Sequence, residues 1–107
     1  MKPFPLEKEM TNTNQLLVQE IEALIIAADK AAEMDEWVLA NTLLKKGLDT
    51  LGSRYVTPAM IDDTGMKLVL ASAEEQKGSL QVAVTIRRRV LAARLSLLRE
   101  MILGAAN

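Results

Sequence analysis

Residues 80–102 read LQVAVTIRRRVLAARLSLLREMI, and the placing of apolar side chains in this stretch decides the fold. At about 100° per residue, Ala83, Ile86, Val90, Ala93, Leu97 and Met101 form one helical stripe, while Leu80, Val84, Leu91, Leu95, Leu98 and Ile102 form a second roughly 130° away. Two stripes require two partners. Other helices of the chain can cover one of them. The other must find a second chain, a client or a folded-back tail, because exposed apolar patches of that size mark interaction sites; the alternative is a helix embedded in the core on both stripes.

The same phase extends upstream. Counting at about 3.6 residues per turn from Ile61 through Leu68 lands on Ala83 and the rest of the first stripe, so Lys77-Gly78-Ser79 interrupts the pattern without shifting it. A glycine inside a helix costs only about 1 kcal/mol relative to alanine. The expectation is therefore one long helix over 58–102, weakened near Gly78. Thr57-Pro58 supplies its start, an N-cap followed by proline at the first helical position, with Asp62 and Asp63 near the positive end of the dipole.

Two shorter helices precede it. Trp37, Ala40, Leu44, Leu48 and Leu51 fit a stripe with Leu39 and Leu43 beside it, Asp35 as N-cap and Gly52 as stop, over about 36–51. Leu17, Ile21, Leu24, Ala28 and Ala32 define the first helix over about 13–33, where Asn12 and Gln15 resemble a capping box. Residues 1–11 hold two of the three prolines and no apolar period, so they read as a flexible lead, with Met10 a candidate start. The expected fold is all-α: a single domain over 12–107, an antiparallel bundle of two shorter helices against one long C-terminal helix.

Composition narrows the chemistry. With 107 residues the chain suffices for one domain and a real core. It has no His and no Cys, which excludes Ser-His-Asp and Cys-His nucleophiles, imidazole or thiolate metal sites and disulfides. The glycines lie on or beside helices, so none forms a phosphate cradle after a strand, and no metal spacing occurs. No cofactor, no metal and no enzymatic activity are expected. Only Phe4, Trp37 and Tyr55 are aromatic, too few for a base-stacking platform. Trp37 reads as the structural anchor of the junction between the first two helices.

Charge is lopsided although the net is −1. Residues 1–75 carry seven basic and thirteen acidic side chains, whereas 76–107 carry six basic ones and only Glu100, so the two parts attract each other. Arg88, Arg89 and Arg99 project to the polar face of the long helix. Arg87 and Arg94 fall between its two stripes, where a guanidinium must snorkel or meet a carboxylate such as Glu20, Asp29, Asp49 or one from a client. The run Arg87-Arg88-Arg89 points in three directions and has no aromatic within it, which argues against direct nucleic-acid binding. No signal-like apolar region opens the chain, and Leu16 to Ala32 is broken by Glu20, Glu22, Asp29 and Lys30, so no membrane insertion and a cytoplasmic location are expected.

An amphipathic first helix, then Glu33-Met34-Asp35-Glu36-Trp37 opening a second, then Thr57-Pro58 opening a long helix with an Arg-rich centre, resembles the FliT family of flagellar export chaperones. The likeness covers about residues 16–102, and its most specific element is the Asp-Glu-Trp junction. It implies a cytosolic chaperone of type III secretion that holds the C-terminal segment of the filament-cap protein and presents it to the export ATPase complex. Family members also contact the flagellar master transcription regulator. Some members continue into a further C-terminal helix that covers the binding surface, and this chain stops at Asn107, so regulation by such a cover is not expected.

On that reading the client lies on the second stripe, Val84, Leu91, Leu95 and Leu98, with Arg87 and Arg94 beside it and Leu44 and Leu48 of the second helix opposite. The competing use of this stripe is a homodimer. A generic helical or coiled-coil adaptor, or another type III secretion chaperone, is the alternative function. A chorismate-mutase-like helical enzyme would need arginine on the inward face of its first helix, which here is Leu17, Ile21, Leu24 and Ala28 with Lys30 the only base.

Overall fold

A computed structural model describes residues 5–52 and 56–106, and all regular structure among them is helical. Four helices follow in order: α1 (Pro5–Glu33), α2 (Trp37–Leu51), α3 (Pro58–Gln76) and α4 (Leu80–Ala106). None of the described helices is long and apolar enough to cross a membrane. α1 begins at Pro5, inside the segment expected to be a flexible lead, and runs through Asn12, so the helix does not start there. Residues 1–4 of that lead lie outside the described residues.

The junction of α1 and α2 is a tight turn of a different kind from the one expected. Asp35 adopts φ 58. Its N–H donates to the Ala32 carbonyl at 3.0 Å and the Glu36 N–H to the Ala31 carbonyl at 2.8 Å. This is a Schellman stop, in which the residue past the helix turns left-handed so that two orphan carbonyls gain donors. Asp35 thus ends α1 instead of capping α2, whose N-cap is Glu36 with no side-chain cap bond. At the other end of α2 the Gly52 N–H closes on the Leu48 carbonyl at 2.7 Å, as expected of a glycine stop.

The long helix expected over 58–102 is two helices. Gly78 adopts φ 89, its N–H donates to the Glu75 carbonyl at 3.0 Å, and the Ser79 N–H donates to the Glu74 carbonyl at 2.9 Å. The same Schellman geometry therefore stops α3 and folds α4 back against it. At the start of α3 the Thr57 hydroxyl accepts from the Met60 N–H at 3.2 Å, so the cap read from Thr57-Pro58 is present.

The hairpin at Gly78 settles what covers each stripe of α4. Val84, Leu91, Leu95 and Leu98 join Ile21, Ala28 and Ala31 of α1 and Ala40, Leu44, Leu48 and Leu51 of α2 in one core. Gly47 permits this approach, because a Cβ there would lie 2.6 Å from Leu91 Cδ2. On the other side of α4, α3 packs against it through Ala71 and Ala83, both fully buried. The stripe expected to await a client is thus covered by α1 and α2, and α3 lies beside the other.

Directions follow from the cross-links. Asp29 and Glu22 of α1 pair with Arg88 and Arg99 of α4, so these two helices are antiparallel. Asn41 near the start of α2 meets Arg87, and Gly52 past its end meets Arg94, so α2 and α4 run parallel. The basic α4 is thereby laid beside acids contributed by the earlier helices, as the charge asymmetry predicts.

Candidate functional site

The side chains expected to face a client do not form an open surface. Leu44, Leu48, Val84, Leu91, Leu95 and Leu98 are buried in the α1–α2–α4 core, each at most 9 % exposed. The correction has one physical cause: with 58–102 taken as one helix, only α1 and α2 were available to cover α4, whereas α1 and α2 take the second stripe and α3 folds back beside the first. Trp37 is half-buried and packs against the core at the α1–α2 corner, with exposed Met34, Val38 and Leu39 around it.

Arg87 and Arg94 are where the sequence placed them, between the stripes, but their partners differ from those expected. Arg87, 5 % exposed, donates from Nη1 to Asn41 Oδ1 and to Glu75 Oε1, both at 2.5 Å, and from Nη2 to the Ser72 hydroxyl at 3.3 Å. Glu75 also accepts from Asn41 Nδ2 at 3.0 Å and from Lys45 Nζ at 3.2 Å. These donors, Arg87 foremost, then Asn41 and Lys45, hold the Glu75 carboxyl down to about 2 from its ordinary 4.5. One carboxylate thus ties α2, α3 and α4 together.

Arg94 has no such counter-charge. It is 7 % exposed, and its donors reach the Thr64 hydroxyl, 3.3 Å from Nε and 2.8 Å from Nη2, and the Gly52 carbonyl, 3.1 Å from Nη1. Among the described residues no carboxylate lies within ion-pair distance of it. Burial pushes its pKa below the ordinary arginine value. Asp29, one of the acids considered for this role, instead binds Arg88 in a bidentate pair at 2.6 and 2.9 Å, which raises the Arg88 pKa. Arg99 pairs with Glu22, so two arginines assigned to open solvent are tied at the surface.

Arg87 and Arg94 lie in the seam where α4 meets α2 and α3. The backbones of α2 and α3 stay more than 8 Å apart between Cα atoms, and side chains bridge them. Val38, Asn41 and Lys45 recur at helical spacing on the α2 side, the latter two reaching Glu75. Ile61, Gly65 and Ser72 recur on the α3 side, with Val69 turned toward the outer surface beside them. A Cβ added at Gly65 would meet nothing within 4 Å, so the space beside Thr64 is open. The outer face of α3 continues the apolar character: Met66 is 75 % and Val69 71 % exposed.

A recess of about 330 Å³ lies between α1 and α4 over Ile25, Ile26, Ala92 and Ser96, closed at its ends by the Asp29–Arg88 and Glu22–Arg99 pairs. Among the described residues no group of three or more acidic side chains is placed to hold a metal ion. The sequence reading missed Ile61, Gly65, Met66 and Val69 as surface residues. The signal available was the Lys77-Gly78-Ser79 stop, which turns these positions outward once it is read as a hairpin. No protein-family model, curated protein or solved structure matches the chain.

Proposed function

We propose that this protein is a helical chaperone of the FliT type, which holds the C-terminal segment of the flagellar filament-cap protein in the cytoplasm and hands it to the export ATPase complex. Contact with the master transcription regulator belongs to the same reading. The observation that carries it is the set of exposed apolar side chains on α2 and α3: Val38, Ile61, Met66 and Val69 all stand in solvent. A helical segment with one apolar face fits such a surface, because burying its anchors at helical spacing is the economical way to hold a flexible chain. The client therefore lies on the outer side of α2 and α3, not on the leucines of α4.

The test is capture of the cap-protein C-terminal segment from the same genome, followed by titration calorimetry. Val69→Asp and Met66→Lys alter exposed positions and should leave the circular dichroism spectrum unchanged while weakening binding at least tenfold. Failure of the segment to bind, or affinity indifferent to both variants, overturns the reading. Capture of a non-flagellar helical segment through the same side chains would establish the adaptor function instead.

A further inference from the structure

The furrow between α1 and α4 separates its charges by wall. The α1 wall carries the acids Glu22 and Asp29, the α4 wall carries Arg99 and Arg88, and all four side chains stay half-exposed although they are paired across the furrow. A half-exposed pair retains donors and acceptors for a further contact, and contributes only about 0–1 kcal/mol to the fold that forms it.

The shape of the furrow is also two-sided. Between the two charged rungs the α4 wall is built from the small residues Ala92 and Ser96, which leave the recess of about 330 Å³, while the α1 wall sets Ile26 at the same level, 56 % exposed. Small side chains are what allow a second helix to approach within 8–10 Å. Past the Glu22–Arg99 rung the furrow continues as a second recess of about 440 Å³ between Val18 of α1 and Leu103 of α4, and Leu103 is 66 % exposed.

We infer that this furrow is the interface of a symmetric dimer, in which a second copy of the chain packs its own α1–α4 furrow face to face about a two-fold axis that runs along the groove. Such an axis keeps the level of every residue and exchanges the walls, so α1 of each copy lies over α4 of the other. Glu22 then meets the partner subunit's Arg99, Asp29 meets the partner subunit's Arg88, and Ile26 enters the space over the partner subunit's Ser96. A two-fold axis across the groove would instead lay α1 on α1 and α4 on α4, acid against acid and guanidinium against guanidinium, so the charges select one orientation. A helix of single charge sign would complement one wall and repel the other, whereas a second copy supplies both signs at the matching levels. The dimer uses neither α2 nor α3 and is independent of the client surface proposed above.

Sedimentation velocity of the full chain over about 1–200 µM should show a monomer–dimer equilibrium, the range in which an interface at the small end of the specific size classes associates. Ile26→Lys and Ser96→Lys alter exposed positions, so each should leave the circular dichroism spectrum unchanged while weakening the dimer at least tenfold. The orientation is read by cross-linking, because the chain contains no cysteine of its own. Ile26→Cys and Ser96→Cys copies mixed and treated with a short bis-maleimide should give several-fold more covalent dimer than either variant alone. A chain that stays monomeric throughout the range, a dimer indifferent to either lysine variant, or a cysteine mixture that links no better than its components overturns the inference. Preferential self-linking of Ile26→Cys would place α1 on α1 and overturns it as well.

Discussion

The two covered faces of α4 are built from different chemistry. Toward α1 and α2 it presents leucine and valine to leucine and isoleucine, in a contiguous core that is almost wholly apolar. Toward α3 the buried side chains are smaller and more polar: Ala71 and Ala83 are fully buried, Leu68 is only partly so, and Arg87 and Arg94 lie there with their polar partners. Apolar burial contributes about 1.5–3 kcal/mol for each large aliphatic side chain, whereas a net hydrogen bond contributes about 0.5–1.5. The first face therefore fixes the fold and the second holds a helix in a specific register at lower strength. Function is read more naturally from the second, since positions that can exchange partners are drawn from the weaker end of a structure.

That contrast breaks most visibly on truncation of a core leucine. Leu91→Ala should cost about 2–5 kcal/mol, because the cavity it leaves is walled by α1 and α2 and closes poorly. Met60→Ala, at a half-buried position in the seam of α3, should cost no more than about 1–2 kcal/mol. Urea denaturation of both variants measures the difference through the midpoint at constant slope. Equal losses would show that α3 is as integral to the core as α1 and α2.

The polar face can be tested by acid. Glu75 has its carboxyl held down to about 2, so its deprotonated form favours the folded state. Its contribution is fully present above its ordinary value of 4.5 and is lost as pH falls from there toward 2. Glu75 is one-third exposed, which screens the interaction, so Glu75→Gln should cost about 1–2 kcal/mol at pH 7. The gap between the variant and the parent should then narrow progressively below about pH 4.5. A gap independent of pH between 7 and 3 would mean that the carboxylate's charge does not hold the seam.

What the sequence revealed depended on whether a signal was periodic or local. The stripes of α4, the Thr57 cap and the Gly52 stop were legible because spacing and single-residue chemistry carry them. The two seam arginines were placed correctly, but not their partners, since Glu75 reaches Arg87 only after the chain reverses at Gly78. Phase continuity concealed that reversal: a three-residue turn brought the apolar pattern back into register, so a hairpin and a continuous helix gave the same stripe. Asp35 was misread for a related reason, as an acid before a helix suggests an N-cap, while its left-handed φ makes it the stop of the helix before. The link from Asn41 and Lys45 to Glu75 could not be read until α3 was known to fold back beside α4.

The two glycines of the α3–α4 hairpin give the smallest effects and the sharpest sign test. In a continuous helix both Gly78→Ala and Gly65→Ala would stabilise, by up to about 1 kcal/mol each, through helix propensity. In the hairpin the signs separate. Gly78 sits at φ 89, where a Cβ crowds the following carbonyl, so alanine there should cost about 1–2 kcal/mol despite the open space around it. Gly65 is helical and unobstructed, so alanine there should still gain as much as about 1 kcal/mol, partly by restricting the unfolded chain. Thermal melts of the two variants decide between the folds, and a gain at both positions would restore the single long helix.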